Sequence, residues 1–307
     1  MKLKPIAGVL LLLLVAAAGC VKKPAVRALP PVLTAPGGVV FAGVRSSHYG
    51  IKPFPQPAAW EKAIKTMAGH FEGSTPCAIW IVGELKRPKD VHLFFPGNGK
   101  TYPHIEFDTV DQHEAYLTAF DQAGIKVFLQ VEPANADMGT LIDLVLGRYG
   151  QHPCVIGFGV DVEWHREADN PSWGVKIDDS TAREWEAKVK SYNQDYRLFL
   201  KHWDRRWMPP NFRGEIIFVD DSQIFKRSED MVSEFVNDWA NYFYPSLVVF
   251  QVGYKSDKPW WEKMVNPPQN LGEEIWKRVK QRCAFIWVDF SLRDVLPLSE
   301  NEDHGKE

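Results

Sequence analysis

The chain has 307 residues, with 36 Lys and Arg against 39 Asp and Glu and a formal net charge of −3. That length suits one or two domains, and the mildly acidic balance argues against a nucleic-acid partner.

The N-terminus reads as an address. Lys2 and Lys4 precede an apolar run from Ile6 to Ala18 that ends in Gly19-Cys20. The run is too short and wrongly flanked to span a membrane, so residues 1–19 read as a signal peptide. The stretch "AAGC" resembles a bacterial lipobox, with Ala17 where Leu is usual. That resemblance implies lipidation of Cys20, and a lipoprotein anchored on the extracytoplasmic side of a cell-envelope membrane. The alternative is an ordinary cleaved signal with an incidental Cys. Residues 20–37 are rich in Pro and Ala and read as a linker. No acid occurs before Glu61, so this tether is basic and suited to anionic head groups. Residues 297–307 form a charged tail.

From Gly38 the chain alternates. Residues 39–46 ("VVFAGVRS") predict a strand, and 57–71 a helix with Pro in its first turn. Strands follow at 77–85, 126–133, 155–164, 214–222, 246–254 and 284–290. Helices fall between them at 108–124 (closed by Gly124), 137–150, 179–207, 228–243 and 271–283. Strands alternating with helices predict a parallel sheet. A continuous rhythm over residues 38–296 predicts a single-domain (β/α)8 TIM-type barrel. Seven strands are clear; the eighth would be degenerate, near Trp260-Trp261 or at "VHLFFP" (91–96). An open doubly wound sheet is the rival, but "GVRSSHYG" after the first strand lacks a phosphate-binding glycine pattern.

Cys77, Cys154 and Cys283 each precede or open a predicted strand and read as small core residues. An odd number outside the cytosol permits one disulfide at most. No metal-ligand spacing is present, and His152 and His165 with Asp161 make no recognisable zinc set. The expectation is no metal and no cofactor.

The stretch "VIGFGVDVEWH" (155–165) carries the functional signal. Pleat parity puts Ile156, Phe158, Val160, Val162 and Trp164 on one face and Gly157, Gly159, Asp161 and Glu163 on the other. With the apolar face under the helices, the second face points into the barrel. The glycines then leave room for large neighbours, and the carboxylates come last, at the C-terminal mouth where barrel enzymes work. A structural ion pair, with Arg45 for instance, is the bland alternative. Gln130 and Glu132 share a face at the end of the third clear strand, so Glu132 could pair with Glu163 as a second carboxylate. Asp220 or Asp221 adds another acid, only one of which can face inward. Arg45, Trp80 and Glu84 lie near other strand ends. Of twelve Trp, six (Trp60, Trp185, Trp203, Trp207, Trp239, Trp276) fall in predicted helices and read as core. Trp173, Trp260 and Trp261 fall in loops and read as platforms for a sugar ring.

Here the chain resembles the family 18, chitinase-like glycoside hydrolases, whose fourth strand ends in D-G-x-D-x-D-x-E. Gly157, Asp161 and Glu163 match; Ile156 and Gly159 replace the two earlier acids. "FIWVDF" is similar to that family's last strand, and "FQVGY" is similar in place to its Tyr-bearing strand. The resemblance implies a glycan substrate, possessing an N-acetyl group where the family's pattern holds. It implies Glu163 as general acid, Asp161 orienting the N-acetyl group, and Trp287 as pocket floor with Tyr254 or Gln251 beside it. The competing expectation is a catalytically inactive barrel lipoprotein that binds glycan or another envelope component.

Overall fold

The computed structural model describes residues 38–86 and 89–296. The expected signal and linker, Cys20 and the expected tail lie outside the described residues. Eight parallel strands close into a ring. They are β1 (Gly38–Ser46), β2 (Thr75–Lys86), β5 (Lys126–Val131), β6 (Val155–Asp161), β7 (Arg197–Lys201), β8 (Ile217–Asp220), β9 (Val248–Val252) and β10 (Arg282–Val288). Closure comes from β1, which pairs in parallel with both β10 and β2. The protein is a (β/α)8 barrel.

All seven clear strands are ring strands. The eighth is β7, "RLFLK", which the sequence reading had absorbed into one helix over 179–207. That helix ends at Tyr192, and Asn193 leaves it in an extended conformation. The two suggested sites for the eighth strand lie elsewhere. Lys258–Trp261 is a short helix. β3 (Asp90–Pro96) is a strand outside the ring, antiparallel to the overhanging end of β2, with β4 (Ile105–Asp108) beside it. The helix expected over 108–124 is confined to Glu114–Ala123: Asp108 ends β4, and Asp111 Oδ1 accepts from the His113 and Glu114 N–H groups where the helix begins.

The core has two shells. Between ring and helices lie large buried side chains, among them Trp60, Trp80, Trp239, Trp261 and Trp287. Inside the ring, Phe41, Ile79, Phe128, Phe199, Ile217 and Ile286 fill the lower half. Phe128 meets Phe199 edge to face at 5.8 Å. The glycines of β6 make this possible. A Cβ on Gly159 would sit 2.0 Å from the Phe199 ring, and one on Gly157 would sit 2.8 Å from Phe128. Each Phe buried here is worth about 1.5–3 kcal/mol. This apolar plug closes the barrel from below, so only the upper half can hold polar groups.

Among the described residues, no helix is long and apolar enough to cross a membrane. Cys77, Cys154 and Cys283 are buried free thiols.

Candidate active site

Above the plug, the same inward parity continues with polar side chains. β1 contributes Arg45, β5 Gln130 and then Glu132 just past its end, β6 Asp161, β7 Lys201, and β9 Gln251. Asp221 follows the last residue of β8. All seven are buried, the most exposed at 4%. So many ionisable groups inside a barrel demand mutual compensation.

Two ion-paired centres supply it. In the first, Lys201 Nζ lies 2.9 Å from Asp161 Oδ2 and also hydrogen-bonds Asp221. Residues Asp161 and Lys201 are direct neighbours in the β6–β7 register, which brings their side chains together. Burial works against the charged amine, but Asp161 and Asp221 outweigh it and hold the Lys201 pKa well above its ordinary value. Burial raises the Asp161 pKa, with Lys201 opposing and Asp221 adding to the rise. Tyr254 caps this centre: its hydroxyl donates to Asp221 Oδ2 at 3.4 Å and accepts from Gln251.

In the second centre, Arg45 Nη2 lies 3.7 Å from Glu132 Oε1. Tyr49 donates its hydroxyl to the same oxygen at 2.6 Å and accepts from Arg45. The Leu85 N–H donates to Glu132 Oε2 at 2.9 Å. The Tyr49 residue is 45% exposed although its hydroxyl reaches inside, so it forms part of the mouth's rim. Burial, reinforced by the nearby Asp161 charge, pushes Glu132 up to about 7 against the pull of Arg45 and Tyr49.

Glu163 stands apart from both. The strand stops at Asp161, and Val162–Trp164 forms a single 3-10 turn, so Glu163 is carried by a turn rather than by the pleat. It is half-buried and faces a cavity of about 810 Å³. Burial, with the charges of Asp161, Asp221 and Glu132, pushes it up to about 8, and Lys201 opposes them. At neutral pH it holds its proton.

Several residues proposed from sequence face elsewhere. Trp287 alternates with the inward Ile286, so it points outward beneath the helices. There its indole N–H donates to Ser291 Oγ at 3.0 Å and its ring meets Trp261 edge to face at 5.3 Å. It floors no pocket. Trp80 likewise points out, donating to His113 Nδ1 at 3.0 Å and packing on Trp60. Asp220 also faces the helical shell, where the Ser222 N–H donates to it at 2.9 Å and burial raises its pKa; the inward acid is Asp221. Gln130 is inward but fully buried below Glu132. Trp261 is buried, not a loop platform. Trp203, read as helix core, instead lies in the loop after β7 and lines the cavity.

The sequence does not single out Lys201 or Tyr49. A lysine inside a predicted helix carries no signal of burial. Asp221 was named only as the alternative to Asp220.

Elsewhere, Asp121, His152 and Cys154 come within 4.8 Å of one another at the opposite end of β6 from Asp161. Asp121 is occupied there, receiving the Cys154 N–H and facing His152 Nδ1, both at 2.7 Å. Burial keeps the Cys154 thiol protonated. The trio ties a loop to a helix.

No family model matches the sequence, and no curated protein matches it. Solved structures with a similar course include the following three. A candidate alpha-L-fucosidase from Bacteroides thetaiotaomicron is 12% identical, over 83% of this chain and 88% of that one, with a TM-score of 0.49. An endocellulase from Pyrococcus horikoshii is 12% identical over 81% and 84%, with a TM-score of 0.46. An endo-1,4-beta-mannanase from Eisenia fetida is 12% identical over 82% and 85%, with a TM-score of 0.45. At such identities and scores the likeness carries nothing about substrate, and the barrel rests on its own closed ring of strands. What ring and site together define is a parallel barrel with paired acids and bases buried at its C-terminal mouth.

Proposed function

We propose that this mouth is the active site of a glycoside hydrolase-like barrel, with Glu163 as general acid. The observation that carries the reading is the state of Glu163. It is a half-buried carboxyl, held near 8 by burial and neighbouring carboxylates, at the edge of a cavity large enough for a small ligand. A carboxyl protonated at neutral pH and open to a ligand can protonate a leaving glycosidic oxygen. Glu132 is the second carboxylate, steadied by Arg45 and Tyr49. Asp161 is committed to Lys201, which favours a two-carboxylate route over orientation of an N-acetyl group by Asp161. The signal-like N-terminus ending in Cys20 favours an extracellular or envelope glycan as substrate.

The test is Glu163→Gln. It keeps the shape of the side chain and removes the transferable proton. Glycan cleavage should fall about 10²–10⁴-fold, with melting temperature and glycan binding retained. Cleavage at the wild-type rate would end the assignment.

A second reading, a barrel that binds glycan without cleaving it, has one observation in its favour. Glu132 is fully occupied by Tyr49, the Leu85 N–H and Arg45, as a scaffold carboxylate would be. Under that reading wild type and Glu163→Gln bind equally and neither releases product.

We also propose that Cys20 is the lipid attachment site. Support comes from the lipobox-like "AAGC" after a short apolar run. The full chain should partition into the membrane fraction and Cys20→Ser should not; equal partitioning of the two would remove the anchor.

A further inference from the structure

Glu163 is the one member of the charged cluster that lines the 810 Å³ cavity; Arg45, Glu132, Asp161 and Lys201 take no part in it. The cavity's other walls come from the loop after β7, the loop after β8 and the helical segment Glu234–Ala240. It therefore extends from the acid to one side of the barrel axis. A general acid delivers its proton to the leaving-group oxygen, so the group beyond that oxygen must lie on the acid's open side.

The walls suit a particular ligand. Trp203 is half-buried and its ring is fixed by two neighbours. Trp173 lies 4.2 Å away, tilted by 60°, and His202 stacks at 5.1 Å. The Ser222 hydroxyl donates to the Trp203 carbonyl at 3.0 Å and ties the two loops together. Ile224, on the rim, is 79% exposed with φ of 70°. That conformation is costly for a β-branched residue, and such strain gathers at ligand sites. The flanking Phe225 N–H is held by Asp257 Oδ1 at 2.7 Å. The charges in the walls are matched internally: Arg206 grips both oxygens of Asp204, and Arg205 lies 3.9 Å from Asp238. Glu234 is pushed up to about 7 by burial and by Asp238, so the two carboxyls offer both a donor and an acceptor. A rigid aromatic face, hydroxyl-binding groups and little unmatched charge suit an uncharged sugar ring.

We infer that this cavity is the leaving-group subsite, that it takes a neutral pyranose residue, and that Trp203 is its stacking platform. The inference rests on the glycoside-cleaving assignment of Glu163 and extends it to the group that departs.

The experiment compares wild type, Trp203→Ala and Trp203→Phe on chitotetraose, cellotetraose and mannotetraose, and on the matching glycosyl fluorides. Fluoride leaves without a sugar in the subsite. Trp203→Ala should lower kcat/KM on the cleaved tetrasaccharide about tenfold more than on its fluoride, and Trp203→Phe should restore most of the difference. Equal losses on both substrates, with an unchanged thermal melt, would overturn the subsite while leaving Glu163 as the acid. Should wild type bind tetrasaccharides without cleaving them, the readout is quenching of tryptophan fluorescence. A weaker Kd for Trp203→Ala then keeps the subsite as a sugar site, and an unchanged Kd overturns it. Neither binding nor cleavage by wild type would overturn both the subsite and the glycoside reading.

Discussion

Replacing Lys201 by Met should destabilise the protein strongly, and more so at pH 8 than at pH 5. Methionine roughly fills the lysine's volume, so little cavity cost is added. What disappears is the cation between Asp161 and Asp221. Lys201 and both acids are buried, at 2%, 1% and 4% exposure. Removing one partner of such a centre leaves uncompensated buried charge, at a cost of about 3–5 kcal/mol. Against a typical domain stability of about 5–15 kcal/mol, that is about a fifth or more. In melting temperature it amounts to on the order of 10 °C for a chain of this size. The pH dependence has a definite sign. Burial already raises the Asp161 pKa, and without Lys201 that rise loses the charge that opposes it. The penalty is then complete above the folded pKa and shrinks as pH falls toward the unfolded value. Urea unfolding of both proteins at pH 5 and pH 8 measures this. A loss under about 1 kcal/mol at pH 8, or a loss that grows as pH falls, would refute the account. The triple change Lys201→Met, Asp161→Asn, Asp221→Asn should recover much of the loss, since it removes the charges altogether.

The two raised carboxyls predict a narrow pH–rate profile. kcat/KM on a cleaved glycan should rise through about pH 7 as Glu132 ionises and fall through about pH 8 as Glu163 loses its proton, both being properties of the interacting pair. The same groups favour the folded state fully below about pH 4.5 and lose that contribution as pH rises through 7 to 8; activity that stays flat across pH 8 would take Glu163 out of the acid role. Gly159→Ala places a Cβ 2.0 Å from the buried Phe199 ring and should cost about 3 kcal/mol in urea unfolding, with part regained in the double change Gly159→Ala, Phe199→Leu.

How much of the site could be read in the sequence depended on whether each strand showed its phase. β6 showed it through Gly157 and Gly159, two residues without side chains on one face, and the structure fills those gaps with Phe128 and Phe199. β5 showed it through polar Gln130 and Glu132 set against Val127, Leu129 and Val131. Both inward faces were legible for that reason. β8 and β10 are apolar on both faces, as strands between a packed interior and a helical shell must be, and an unbroken apolar run has no phase. So β8 does not say which of Asp220 and Asp221 faces inward, and nothing in β10 shows that Trp287 faces out. β7 failed differently. Its five residues follow a strongly amphipathic helix, and the Asn-Gln-Asp turn at 193–195 was too brief to break the helical period. With β7 went Lys201, whose burial follows only from the approach of Asp161 and Asp221 across two strand pairings. Charge compensation inside a barrel belongs to neighbouring strands, not to any single one. A reading made strand by strand finds the acids, whose presence in an apolar run is anomalous, and misses Lys201, the cation that makes Asp161 and Asp221 tolerable.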